Sequence, residues 1–218
     1  MEKEGIKIDE KKQDKILEKE ISEKNRKSSE NKTLKNVFIV IGAFGLVFIL
    51  VVLFINSIRH FEYNGMTGDV VKEGNLIFYQ TSIPVFYKGE EVPYNFYLRN
   101  DPRKLDKIPF DGEIVFLKQV VLNSSAELNC DGDGIIAIKN LATLYEVLGA
   151  KVIKDENASC DPMGRYMFLD IKPDNKTSVE QFGPACYNLN VNNCEILKST
   201  ERFMVETFVK LKEDGIVK

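Results

Sequence analysis

Apolar positions along this chain change pattern at two places. From Val37 to Ile55 (VFIVIGAFGLVFILVVLFI) they form a run of 19 residues with no charge and no proline. A helix of that length rises about 28 Å, close to the ~30 Å hydrocarbon core of a bilayer. In lipid such a segment satisfies its own backbone hydrogen bonds only as a helix, so residues 37–55 are expected to span a membrane. Before it, residues 1–36 are charged, and Ile6, Ile8, Ile16, Leu17 and Ile21 make no sustained stripe, which reads as a disordered tail. After it, residues 56–74 read as a Gly-rich connection, and a folded domain is expected over 75–218.

Within that domain, Asn75–Thr81, Ile83–Tyr87 and Pro93–Leu98 read as aromatic-rich strands around a turn at Lys88–Glu91, with Pro84 suggesting an edge. Asn100-Asp101-Pro102 is a turn or helix-start signal, and Glu113–Leu122 reads as a further strand. Ile138, Leu141, Leu144, Tyr145 and Leu148 are at helical spacing, and Gly149 ends that helix. Lys151–Lys154, Arg165–Ile171 and Ala185–Val191 read as strands. A last helix, capped by Asn192 or Asn193, runs to about Lys212 with Ile196, Phe203, Met204, Phe208 and Leu211 on one stripe. The order predicts an α+β domain: two helices packed on a mostly antiparallel sheet, preceded by one transmembrane helix.

Charge sets the orientation. Lys24, Arg26, Lys27, Lys32 and Lys35 crowd the N-terminal flank of the apolar run, against Arg59 and His60 on the other. The positive-inside rule then puts the N-terminus in the cytoplasm and the domain outside. The long apolar run, the 36 residues before it and the lack of a small-residue cleavage site after it favour an uncleaved anchor over a signal peptide. Gly42 and Gly45 lie three apart, so the small-xxx-small dimer spacing is absent. Residues 1–36 carry a net +2 and the rest −5, which gives the outer part no electrostatic case for nucleic acid. The bilayer itself, and an envelope protein or glycan, are the expected partners.

All four cysteines, Cys130, Cys160, Cys186 and Cys194, lie on the outer side, as do the acceptor sequons at Asn123, Asn157 and Asn175. Four cysteines admit three pairings. Nearness along the chain favours Cys186 with Cys194 across a strand-to-helix turn, and Cys130 with Cys160. No C-x-x-C occurs, which argues against zinc.

Asn129-Cys130-Asp131-Gly132-Asp133-Gly134 resembles the start of a dockerin or EF-hand calcium loop, and Asn129–Gly149 resembles such a loop with its exiting helix. The resemblance implies oxygen ligands from Asn129, Asp131 and Asp133. Asn140 replaces the acidic residue expected at position twelve, so any Ca2+ site is weak, about 10⁻⁴ to 10⁻³ M. The competing reading is a turn in which Asp133 caps the helix. A second candidate is the aromatic-to-basic stretch Asn95–Lys104, where Tyr97, Arg99 and Arg103 suit a glycan or an acidic partner. The alternative places its aromatics in the core.

His60 is the only histidine and adjoins the apolar run, which removes Ser-His-Asp and Cys-His chemistry from the domain. Paired carboxylates such as Asp170 and Glu180 leave glycan hydrolysis open. Along YNFYLRNDPRKL, CDGDGIIAI and GPACYNLNVNNCEILKSTERFM the chain resembles single-pass membrane proteins of small-genome archaea. That resemblance implies a compartment and no activity. The expected role is a non-catalytic envelope binding or assembly module. The alternatives are a glycan hydrolase, or an accessory subunit of a membrane complex.

Overall fold

The computed structural model describes residues 35–124 and 126–215. The charged tail and its basic residues before Lys35 lie outside them. The chain divides into two compact units, residues 1–56 and 57–218. Helix α1, Lys35–Arg59, is long and apolar enough to cross a membrane.

The second unit starts earlier than the hydropathy pattern suggested. Residues 60–73, expected as a connection, form strands β1 (His60–Tyr63) and β2 (Met66–Glu73). Phe61, Tyr63 and Met66 are buried in the main core. The turn between them is Asn64-Gly65 with both residues at positive φ, the two-residue hairpin turn whose twist matches that of the strands it joins. Two further two-residue turns, Gly74-Asn75 and Lys88-Gly89, lead to β3 (Leu76–Tyr87) and β4 (Glu90–Leu98). The result is a four-stranded antiparallel meander, β1-β2-β3-β4. Strand β2 pairs with β3 only as far as Thr81, so Pro84 and its partner Pro93 sit where the hairpin has outrun that neighbour.

Asp101 caps the short helix α2 (Pro102–Leu105), accepting from the Arg103 N–H at 3.0 Å with Pro102 in the first turn. Beyond it lie β5 (Phe110–Asp111), β6 (Gln119–Ser124), a 3₁₀ segment (Ala126–Gly132), α3 (Asp133–Val147) and β7 (Lys151–Lys154). Next come β8 (Met167–Pro173), β9 (Ser178–Gly183), β10 (Cys186–Val191) and α4 (Ile196–Glu213). Residues 113–118 are not strand, contrary to expectation. There the Tyr187 hydroxyl accepts from the Val115 N–H at 3.1 Å and donates to the Glu113 carbonyl at 2.5 Å, in place of a ladder.

The sheet built from these strands corrects the fold expectation. It is six-stranded, in the order β5-β9-β10-β8-β6-β7, and most of its pairings are parallel. The pairing of β9 with β10 is antiparallel. Strand β6 reaches β7 through α3, and such a helical crossover returns the chain parallel. The antiparallel expectation therefore holds for the meander alone.

Helix α4 lies between the two sheets, and its residues from Phe203 to Val205 and from Thr207 to Val209 are all buried. Its buried polar residues are each matched to a neighbour. Ser199 donates to the Ser178 carbonyl at 3.4 Å, and Thr207 meets the Tyr145 hydroxyl of α3 at 3.2 Å. Arg202 donates to the Ile108 carbonyl at 3.1 Å and pairs with Glu206 at 2.5 Å. Glu201 accepts the backbone N–H groups of Arg99 (2.7 Å) and Asn100 (2.9 Å) and the Asn100 side-chain amide (2.8 Å). The helix begins after Asn192 and Asn193, with Glu195 at the cap position.

The disulfides are Cys130–Cys194 and Cys160–Cys186, not the pairs that nearness along the chain favoured. Parallel topology is the reason. β6 and β10 run the same way on either side of β8, so the loops leaving their carboxyl ends meet, and these carry Cys130 and Cys194. Cys186 opens β10 beside Phe168, at the end of the sheet approached by the loop holding Cys160.

Candidate functional site

The mixed sheet is covered unequally. Val120, Leu122, Leu169, Ile171, Leu189 and Val191 point into the main core with the residues of α3 and α4. The alternate residues belong to the other face. There Val121, Phe168 and Cys186 form a separate small cluster with Ala158, Cys160 and Tyr166 of the preceding loop. That loop is fixed by Asp161, which accepts from Arg165 Nε and from the Arg165 N–H, each at 2.8 Å, and the guanidinium holds its carboxyl down at about 2.

Next to this cluster, no helix among the described residues covers the sheet. One register row crosses five strands there: Asp111, Glu180, Asn188, Asp170 and Asn123. Asp111 and Glu180 are exposed, and Asn188, Asp170 and Asn123 are half-buried. Glu180 is oriented from below. The Asn190 amide nitrogen donates to Ser178 Oγ at 3.0 Å, and Ser178 Oγ donates to Glu180 Oε1 at 2.9 Å. Among the described residues Asn190 Oδ1 is buried without a partner, a state that costs about 1–3 kcal/mol. Lys172 Nζ stands 3.7 Å from Asp170 Oδ2. Phe182, 48% exposed, meets Phe168 edge-on beside the row. An aromatic face next to a row of oxygen acceptors suits a ligand that carries an apolar ring face and hydroxyl donors.

Asp170 and Glu180 were candidates from sequence, and they share this row, two strands apart. Asn188, Ser178, Asn190 and Phe182 were not, although the alternation in CYNLNV separates Tyr187, Leu189 and Val191 from Asn188 and Asn190. Tyr97 and Arg99 come together on the meander, with Phe78 between them. The rings of Tyr97 and Phe78 are 6.1 Å apart, and the Arg99 guanidinium lies 5.5 Å over Phe78. Arg103 does not join them. It is paired with Asp101 at 2.8 Å.

Asp131 is exposed and Asp133 opens α3, while the side chain of Asn129 is not described. Cys130, Asp131, Asn193 and Cys194 all have positive φ, so the turn is shaped around its disulfide. Among the described residues no group of three or more His, Cys, Asp or Glu side chains is placed to hold a metal ion. Asn157 and Asn175 are exposed, whereas Asn123 stands in the polar row and its Ser125 lies outside the described residues. A cleft of about 230 Å³ beside α4 is lined by Glu113, Glu206, Glu213 and Lys210 among others. Two of these charges are committed elsewhere, Glu206 to Arg202 and Lys210 to Asp214.

No protein-family model, no curated protein and no solved structure matches the chain.

Proposed function

We propose that this protein is a membrane-anchored, extracytoplasmic binding module that holds an envelope glycan on the open face of its mixed sheet. The observation that carries this is the in-register row from Asp111 to Asn123, bare of helices among the described residues, with Phe182 exposed beside it. Helix α1 supplies the anchor, and the basic residues before it favour an outward-facing domain. Asn157 and Asn175 are the acceptor sites compatible with this use of the face. A glycan attached at Asn123 would cover the row.

The test is binding of a panel of soluble oligosaccharides to the full chain in lipid nanodiscs. Asp170→Ala and Glu180→Ala should each weaken binding about tenfold or more, since a hydrogen bond to a charged group contributes ~1.5–3 kcal/mol. Tyr97→Ala should leave it unchanged. The opposite pattern would move the binding face to the meander.

A second reading has one observation in its favour. Asp170 and Glu180 stand two strands apart, a backbone separation of about 9.6 Å, near the upper end of the ~6.5–9.5 Å carboxyl spacing of inverting glycosidases. Release of reducing ends from the same panel, lost in both variants, would favour hydrolysis over simple binding.

A further inference from the structure

The polar row on the mixed sheet is unbalanced in charge. Asp111, Glu180 and Asp170 bring three carboxylates to it, together with the amides of Asn188 and Asn123. Lys172 meets one of them, with its Nζ 3.7 Å from Asp170 Oδ2. Among the described residues, Asp111 and Glu180 are paired with no cation. Neighbouring strands are about 4.8 Å apart, so Asn188 on β10 stands midway between Glu180 on β9 and Asp170 on β8. A neutral hydroxyl donor leaves the charge there uncompensated, and an acidic sugar adds to it. An ammonium has three N–H donors and no acceptor, and its hydrogen bonds to carboxylates are charge-assisted.

A second feature, independent of the carboxylates, points the same way. Asn190 is 2% exposed and follows Asn188 by two residues, so its side chain is on the same side of β10. Its amide nitrogen is used on Ser178, which in turn holds Glu180. Its Oδ1 has no partner among the described residues. On β8, Asn190 is directly level with Lys172. A ligand ammonium that takes Asp170 displaces the Lys172 ammonium, and Asn190 Oδ1 is the acceptor level with that lysine. The exchange leaves neither the lysine nor the buried carbonyl oxygen without a partner.

We infer that the glycan held on this face bears a free amine, whose ammonium sits over Asn188 between Glu180 and Asp170 while a sugar ring lies on Phe182. The inference rests on the mixed-sheet face as the glycan-binding surface, and it names the class of sugar. Phe182 follows Glu180 by two residues on β9, about 6.6 Å along the strand. The stacked ring and the amine therefore belong to one sugar or to neighbouring sugars of one chain.

The full chain in nanodiscs of zwitterionic lipid would be titrated with a glucosamine trimer, its N-acetylated counterpart and a galacturonic acid trimer. The glucosamine trimer is expected to bind about tenfold more tightly than the N-acetylated one, and the uronate most weakly. Asp170→Asn and Glu180→Gln keep acceptor oxygens but remove the charge. Each should reduce that preference severalfold while the N-acetylated trimer still binds. Lys172→Met removes the competing ammonium and should tighten the glucosamine trimer about twofold to fivefold. Equal binding of glucosamine and N-acetylated trimers, weakened alike by Asp170→Ala and Glu180→Ala, would keep the face as a glycan site and overturn the amine. A glucosamine preference that survives both Asp170→Asn and Glu180→Gln would place the ammonium elsewhere and overturn the inference too. Failure of the glucosamine trimer to bind also overturns it, and the glycan reading then stands or falls on the wider oligosaccharide panel.

Discussion

Glu201 is a buried carboxylate that accepts three hydrogen bonds. Burial pushes its carboxyl up to about 7, against three donors from Arg99 and Asn100 that favour the charged form. A folded-state value above the unfolded one means that the native state binds the extra proton between about pH 4.5 and 7. Stability from this group therefore falls as pH rises through that window, on the order of 3 kcal/mol in all. Asp161 has the opposite sign. Arg165 lowers its carboxyl to about 2, so its contribution is present above the usual carboxylate range and is lost as pH falls through about 2. Denaturant midpoints between pH 5 and 8 should decline for the native chain and flatten for Glu201→Gln. An unchanged slope in that variant would remove Glu201 as the cause. None of this was legible in the sequence. Glu201 reads as a surface residue of an amphipathic helix, and only the burial of α4 on several sides makes it an interior carboxyl.

At the scale of elements, α4 and the disulfides organise the domain. Phe203 is fully buried, with its ring 5.1 Å from that of Tyr187, 6.3 Å from that of Phe110 and 6.4 Å from that of Tyr145. Phe203→Ala should cost about 3–5 kcal/mol in chemical denaturation. Gly183 leaves room for a cystine, since a Cβ there would lie 2.6 Å from Cys160 Sγ. Gly183→Ala should therefore destabilise the oxidised protein by about 1–3 kcal/mol, and by less in a Cys160→Ala background. Additive effects in the double variant would show that the two do not share this contact. The helices and most strands were readable because their apolar spacing is regular. β1 was missed although Asn64-Gly65 is a strong hairpin signal, because its strand has four residues and adjoins the apolar run. β9 was missed because SVEQFG carries few apolar residues to mark a period.

For the molecule as a whole, strand direction is what hydropathy alone left undecided. The strand–helix–strand order of β6, α3 and β7 was visible, but the parallel return across β6 to β8 and β10 places residues distant in sequence side by side. That return creates the polar row, gathers Asp170 with Glu180, and brings Cys130 to Cys194 rather than to Cys160. Loop-closure entropy for separations of 64 and 26 residues amounts to about 4 and 3.5 kcal/mol for the two cystines, enough that reduction should lower the melting temperature well below that of the oxidised form. The proposed function requires a domain folded on the oxidising side of a membrane around those two links, with one sheet face open. Peptide mapping under non-reducing conditions, on full-length protein taken from its membrane with thiols blocked at lysis, tests this most directly. Linked peptides joining Cys130 to Cys194 and Cys160 to Cys186, with no blocked cysteine, are predicted. Four blocked, unlinked cysteines would put the domain on the reducing side, and a Cys186–Cys194 link would contradict the parallel sheet on which the open face depends.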